Sequence, residues 1–160
     1  FKEDNDKFLF KHIAGSIAFL PYGALVDHFQ HWVYENPKES PKKRKEKWLE
    51  LESIYQPDKN YDNLKFLKKG GLWQKQAHIY EMPFYYIDYT LAQICAFQFW
   101  IRMQNDKDSA WKDYLRLCKA GGSLSFLDLV KLANLKSPFD SKTFKEVAEK
   151  IDSWLEKYTI

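Results

Sequence analysis

The sequence predicts an all-α fold, a bundle of about six or seven helices, and three observations carry that prediction. Apolar residues recur three and four positions apart through most of the chain; serine, aspartate, proline and glycine punctuate the segment ends; and no stretch alternates polar with apolar residues as a half-buried strand would.

Asp6 can cap a first helix in which Phe10, Ile13, Ile17 and Leu20 form one buried stripe. Pro21 interrupts its hydrogen-bond ladder, and the pattern resumes through Leu25, Phe29, Trp32, Val33 and Tyr34. The spacing therefore predicts either one kinked helix or two helices broken near Leu20. Ser40 and Pro41 start the next helix, because serine accepts an orphan N–H and proline fits the first turn. It carries Trp48, Leu51, Ile54 and Tyr55 and stops before Pro57. From Gln56 to Gly71 the residues are polar and irregular, which reads as a surface excursion with a short helix around Asn63 to Leu67.

Pro83 opens the most apolar segment, Phe84 to Met103, whose hydrophobic residues occupy nearly every side of the helical wheel. A helix buried all round is expected in the middle of a bundle. The polar run Asn105 to Ser109 ends it and caps a helix from Ala110 to Lys119, which Gly121 and Gly122 terminate. Two amphipathic helices follow, Ser125 to Leu135 and Ser141 to Tyr158, separated by Ser137 and Pro138.

At 160 residues and 19.2 kDa, a single domain spanning residues 1–160 is expected to bury roughly two thirds of its unfolded surface. The aromatic share of 18%, from 12 Phe, 10 Tyr and 6 Trp, is high: such side chains either fill a helical core or line a groove that takes a peptide. The net charge of +3 arises from 25 basic and 22 acidic residues that are mostly interspersed, so the field that gathers nucleic acid is weak and no nucleic-acid partner is predicted. Lys42 to Lys47 (KKRKEK) reads as a solvated helical face, with a phosphate-binding patch as the alternative. Cys95 and Cys118 share no metal-ligand spacing and read as free buried thiols. No stretch approaches roughly 18 uninterrupted apolar residues and no leader pattern opens the chain, so no membrane partner is predicted and a cytoplasmic location is expected. A first residue of Phe rather than Met suggests a piece cut from something longer.

Histidine occurs at 12, 28, 31 and 78. His12, among apolar neighbours at helical spacing, reads as a packing or surface residue. His28 and His31 lie one turn apart, with Asp27 and Glu35 each four residues from His31, and so resemble a metal face. The zinc motif H-E-x-x-H, however, needs its histidines four apart with a glutamate between them as base, and neither condition is met. No metal ligand is predicted in the chain. The segment Gly70 to Tyr89 (GGLWQKQAHIYEMPFYYIDY) instead gathers His78, Tyr80, Tyr85, Tyr86 and Tyr89 around Pro83, and Tyr85 and Tyr89 share one helical face. Phenols and an imidazole N–H aimed into a cleft are what amide hydrolysis demands where the carbonyl oxygen becomes negative. A tyrosine-rich helix start packed on its neighbours is the alternative.

The run HIYEMPFYYIDYTLAQICAFQFW resembles the stretch that follows the zinc site in the thimet oligopeptidase and oligoendopeptidase F family of metallopeptidases. FLPYGALVDHFQHWVYENP and the later AGGS resemble that family in the same order, over essentially the whole chain. The resemblance implies a larger, two-lobed helical peptidase around a deep channel, with zinc held by H-E-x-x-H and a further glutamate, all upstream. It makes residues 1–160 the C-terminal helical portion of the catalytic domain, inactive alone. In the full-length protein zinc would activate a water, short peptides would be the substrates, and the remainder of the same chain would be this portion's partner. His78 and Tyr89 would donate to the substrate carbonyl and its tetrahedral intermediate, with Tyr85 or Tyr86 adding a contact. The tyrosine spacing departs somewhat from the family's, and helix facing assigns Tyr85 to the catalytic group and Tyr86 and Tyr80 to substrate binding. The Gly70–Gly71 turn would let the His78 loop move. The competing reading is a stand-alone helical module that binds a peptide or protein without catalysis.

Overall fold

A computed structural model describes residues 3–158. It is all-α, with no strand among the described residues. The helices are α1 (Asn5–Glu35), α2 (Pro41–Tyr55), α3 (Lys65–Lys68), α4 (His78–Glu81), α5 (Ile87–Asn105), α6 (Lys107–Ala120), α7 (Phe126–Leu132) and α8 (Ser141–Leu155), with a 3-10 turn at Leu72–Lys75. Six of them run beyond a single turn, in line with the predicted count, and α3 and α4 are one turn each.

Of the two readings of the first segment, the single helix holds: α1 continues through Pro21. Asp6 is not its cap, because the helix begins one residue earlier; its carboxylate lies in the first turn, where it complements the helix dipole. Ser40 does cap α2, accepting from the Lys43 N–H at 3.2 Å, with Pro41 following. Asp106, Ser125 and Asp140 cap α6, α7 and α8 in the same way, so α6 starts earlier than predicted.

The chain forms two compact units, residues 18–90 and residues 1–17 with 91–160. In the first, α1 sets Leu25, Val26 and Phe29 against Trp48 and Leu51 of α2, Leu72 and Trp73 of the 3-10 turn, Ile79 and Tyr86. The Phe29 ring meets Trp48 edge-on and Trp73 at a tilt, each at 5.2 Å. Glu52 is buried and accepts from Trp48 Nε1 at 3.1 Å and from the Tyr61 hydroxyl. The tyrosine thereby ties the excursion after α2 back to the core. Gly70 and Gly71 do not act as a free hinge. Both are buried; a Cβ on Gly70 would lie 2.1 Å from the Lys45 carbonyl oxygen, and one on Gly71 2.3 Å from the Phe66 ring. The glycines permit close packing. Lys42, Lys43 and Lys47 pair with Glu46 or Glu50, as a solvated helical face would.

The second unit buries Ile13, Ile94, Phe97, Phe99, Val130, Val147 and Ile151. Asp113 is its polar anchor, accepting from Arg102, from Arg116 at 2.7 Å and from Asn134 at 3.0 Å. Two expectations are corrected here. Along α5 only Thr90, Ile94, Phe97 and Phe99 are buried, because its wheel also carries Asp88, Gln93, Gln98 and Arg102; it is not enclosed on every side. Cys118 is exposed, since α6 turns it away from the buried Ala110 and Asp113, whereas Cys95 is half-buried. An 18-residue window of α1 has a mean hydropathy of 1.3, long and apolar enough to cross a membrane by length and composition, contrary to the reading of the sequence. Its Leu25, Val26 and Phe29 are taken up in the core just described.

Candidate functional site

The site is assembled by the short elements between the 3-10 turn and α5. Leu72 and Trp73 are buried and fix the 3-10 turn, and the Gln76 N–H closes it on the Trp73 carbonyl at 3.0 Å. One turn of α4 begins at His78 and ends when the Met82 N–H bonds the His78 carbonyl at 3.0 Å. Met82, Pro83, Phe84 and Tyr85 then form a tight turn closed by the Tyr85 N–H on the Met82 carbonyl at 3.3 Å. Pro83 suits its second position, but the third, Phe84, has φ +63°, a conformation that glycine adopts freely and a bulky residue does not. The Phe84 ring is held between His31 and Tyr34 of α1, each at 4.9 Å, and that contact offsets a strain of about 1–3 kcal/mol.

This turn delivers three tyrosine rings to His78. Tyr85 lies parallel to the imidazole, 7° between planes and 6.4 Å between centroids. Tyr86 and Tyr89 meet it edge-on at 5.1 and 5.7 Å. The Tyr89 hydroxyl stands 3.4 Å from His78 Nε2, and on the opposite side of the ring Nδ1 lies 2.8 Å from Gln76 Nε2. Tyr85 and Tyr89 also pack edge to face at 5.3 Å and are 39% and 42% exposed, so both hydroxyl-bearing rings are open to a ligand.

Tyr86 is different: at 9% exposed it belongs to the core, against Phe19 at 5.9 Å and Tyr22 at 6.0 Å, and it backs His78. Tyr80 is well exposed, but its ring stacks on Trp73 at 5.7 Å and is not part of the cluster on His78. Burial raises the Tyr86 phenol above its ordinary pKa, with Tyr89 adding to the effect. Tyr89 is raised too, by partial desolvation and then by its hydrogen bond with Tyr85. The phenols stay protonated, and hence donors, around neutral pH.

Two residues of this arrangement were not legible in the sequence. Gln76 carries only the signal of an amide two positions before His78. Tyr22, whose hydroxyl donates to Gln76 Oε1 at 3.0 Å, comes from α1, 54 residues away. The other histidines have partners of their own: His12 stacks on Phe8, His31 faces Asp27 at 3.5 Å along α1, and His28 Nδ1 reaches the Tyr55 hydroxyl of α2 at 3.1 Å. Burial raises the Asp27 carboxyl above its usual range, against the pull of His31 and His28. Among the described residues no three His, Cys, Asp or Glu side chains are arranged to hold a metal ion. The described residues therefore do not by themselves fit a zinc site.

The family model for peptidase family M3 matches residues 2–149. No curated protein matches. Among solved structures, the chain is similar to a protein assigned as an oligoendopeptidase F, at 52% identity and a TM-score of 0.94, and to Pz peptidase A solved with an inhibitor, at 52% and 0.95. A protein assigned as an oligoendopeptidase F from Bacillus anthracis str. Ames follows at 46% and 0.80. Each match covers 99% of this chain but only 28%, 28% and 25% of the respective relative, so the chain spans about a quarter of their length. A family match over nearly the whole sequence, with close structural agreement at about half identity, shows that this chain belongs to peptidase family M3.

Proposed function

We propose that this chain is the C-terminal helical portion of the catalytic domain of a zinc-dependent oligopeptidase, acting in the cytoplasm on short peptides, and that it supplies the wall that stabilises the developing oxyanion. The zinc ligands, in this reading, lie upstream and outside these residues. The remainder of the same protein is the partner that closes the site.

The observation that carries the reading is the pairing of His78 Nε2 with the Tyr89 hydroxyl at 3.4 Å, beside the exposed Tyr85. That separation is longer than a good N–H···O bond, so both groups keep donor capacity for a third atom. As attack on the scissile carbonyl places charge on its oxygen, His78 N–H and Tyr89 O–H donate to it, and Tyr85 adds a contact from the same face. Tyr86 holds the imidazole from behind, and the exposed Tyr80 contributes to binding of the peptide outside that centre. Fixed donors of this kind act on charge that appears only in the transition state.

The test is Tyr89→Phe in the complete protein, assayed on a short fluorogenic peptide. Turnover falls roughly a hundred- to a thousandfold with KM little changed; near-normal turnover would dispose of the assignment.

A further inference from the structure

We infer that Gln76 is a positioning residue: its side-chain amide, held by Tyr22, fixes His78 Nδ1 as an acceptor and so places the neutral ring's single proton on Nε2, facing Tyr89. The inference deepens the oxyanion-wall reading and rests on it for its catalytic meaning, though not for its geometry.

The contacts run in one line. The Tyr22 hydroxyl donates to Gln76 Oε1 at 3.0 Å, Gln76 Nε2 donates to His78 Nδ1 at 2.8 Å, and His78 Nε2 meets the Tyr89 hydroxyl at 3.4 Å. A carboxamide nitrogen can only donate and its oxygen can only accept, so the direction in which Gln76 is turned decides which imidazole nitrogen is free to carry the proton. Turned the other way, Gln76 would accept from Nδ1–H, and Nε2 would become an acceptor unable to stabilise an oxyanion.

Tyr22 decides between the two. Tyr22 is half-buried, and among the described residues its hydroxyl donates to Gln76. With Oε1 toward Tyr22 the phenol proton has an acceptor; with the amide reversed it has none, which is the costlier arrangement. Burial, reinforced by Tyr86 and Glu52, pushes the Tyr22 phenol up to about 12, so it remains a donor across the range in which histidine titrates. The Gln76 backbone is fixed as well, by its N–H on the Trp73 carbonyl. The consequence is a division of labour. The 2.8 Å bond to Gln76 is short and persistent, while the 3.4 Å contact to Tyr89 is long and easily exchanged for a substrate oxygen.

The experiment is 15N NMR of the complete protein labelled at histidine, held at about pH 8, above the ordinary histidine pKa of roughly 6.5. The His78 signals are identified by their loss in His78→Asn. The unmodified protein is expected to show Nε2 protonated and Nδ1 bare. In Gln76→Glu, with the fold checked by circular dichroism, the carboxylate can only accept, so Nδ1 gains a proton. Where the protein cleaves peptides, kcat then falls about ten- to a hundredfold with KM held and its pH profile displaced. Nδ1 protonated in the unmodified protein would overturn the proposal, and so would a His78 spectrum unchanged by Gln76→Glu. The expected spectra in a protein that cleaves nothing would uphold the role of Gln76 and sink the peptidase reading alone.

Discussion

Gly23 in α1 and Thr90 in α5 meet so closely that a Cβ on the glycine would stand 2.0 Å from Thr90 Oγ1. Thr90 is the residue after Tyr89, so this contact helps set where the tyrosine helix begins. Replacing Gly23 by Ala gains about 0.5–1 kcal/mol of helix propensity but forces threonine or backbone to move, for a net loss of about 1–2 kcal/mol. Thr90→Ala removes the clashing oxygen and should restore most of that loss. Thermal melts of the two single variants and the double variant give the coupling directly; additive effects would mean the contact does not constrain α5.

The division of roles between Tyr86 and its neighbours is testable by stability. Tyr86 is 9% exposed and packs on Phe19 and Tyr22. Tyr86→Ala should cost about 3–5 kcal/mol in urea unfolding, whereas Tyr89→Ala, at a ring 42% exposed, should cost less than half of that. Equal costs would show that both tyrosines are packing residues.

Glu52 offers a second stability test, because its buried carboxylate serves both Trp48 Nε1 and Tyr61. Burial, then the hydrogen bond to Glu52, raises the Tyr61 phenol well above its ordinary value, so it stays a donor. Glu52→Ala leaves two donors without their acceptor and opens a void, a loss of about 2–4 kcal/mol. Glu52→Gln retains an acceptor oxygen and should lose less than half as much in the same melt; a larger loss would mean that the negative charge itself is required.

Acid should weaken the unit that holds Asp113. The hydrogen bond from Arg102, then that from Asn134, with the nearby Arg116, holds the Asp113 carboxyl below its usual range. A carboxyl lowered by folding adds stability above its unfolded pKa of about 3.9, and that stability drains away as pH falls through the folded value. The melting-temperature gap between the unmodified protein and Asp113→Asn should therefore be widest near neutrality and narrow below about pH 4. A gap independent of pH would show that Asp113 acts by shape alone.

Titration of the 160-residue chain with zinc should show no stoichiometric site of nanomolar affinity and no peptide cleavage. His28 and His31 each have a partner, Tyr55 and Asp27, and among the described residues no third metal-ligating side chain joins them. Tight binding lost in His28→Ala would show that a metal face forms there after all.

How far the fold was readable depended on the range of the interaction involved. Ser40 with Pro41 and the polar start of α6 announce themselves within three residues, because capping satisfies N–H groups of the adjacent turn. Pro21 left two outcomes open, since losing one hydrogen bond can be absorbed when both halves of α1 are packed, as Leu20 and Leu25 are. The turn at Phe84 gave no warning: nothing in M-P-F-Y specifies a positive φ, which is sustained by rings from α1.

By itself, the sequence determined that this protein is helical and that the chain resembles the M3 peptidases to which it belongs, and it gathered His78, Tyr80, Tyr85, Tyr86 and Tyr89 around Pro83; periodicity, caps and a contiguous motif are local quantities. Only the tertiary structure separated Tyr86, sunk in the core, from the exposed Tyr85 and Tyr89, and Tyr80, which turns to Trp73. Only it brought Tyr22 to Gln76 across 54 residues. Neighbouring tyrosines are alike in sequence, and what distinguishes them is which partners long-range packing leaves around each ring.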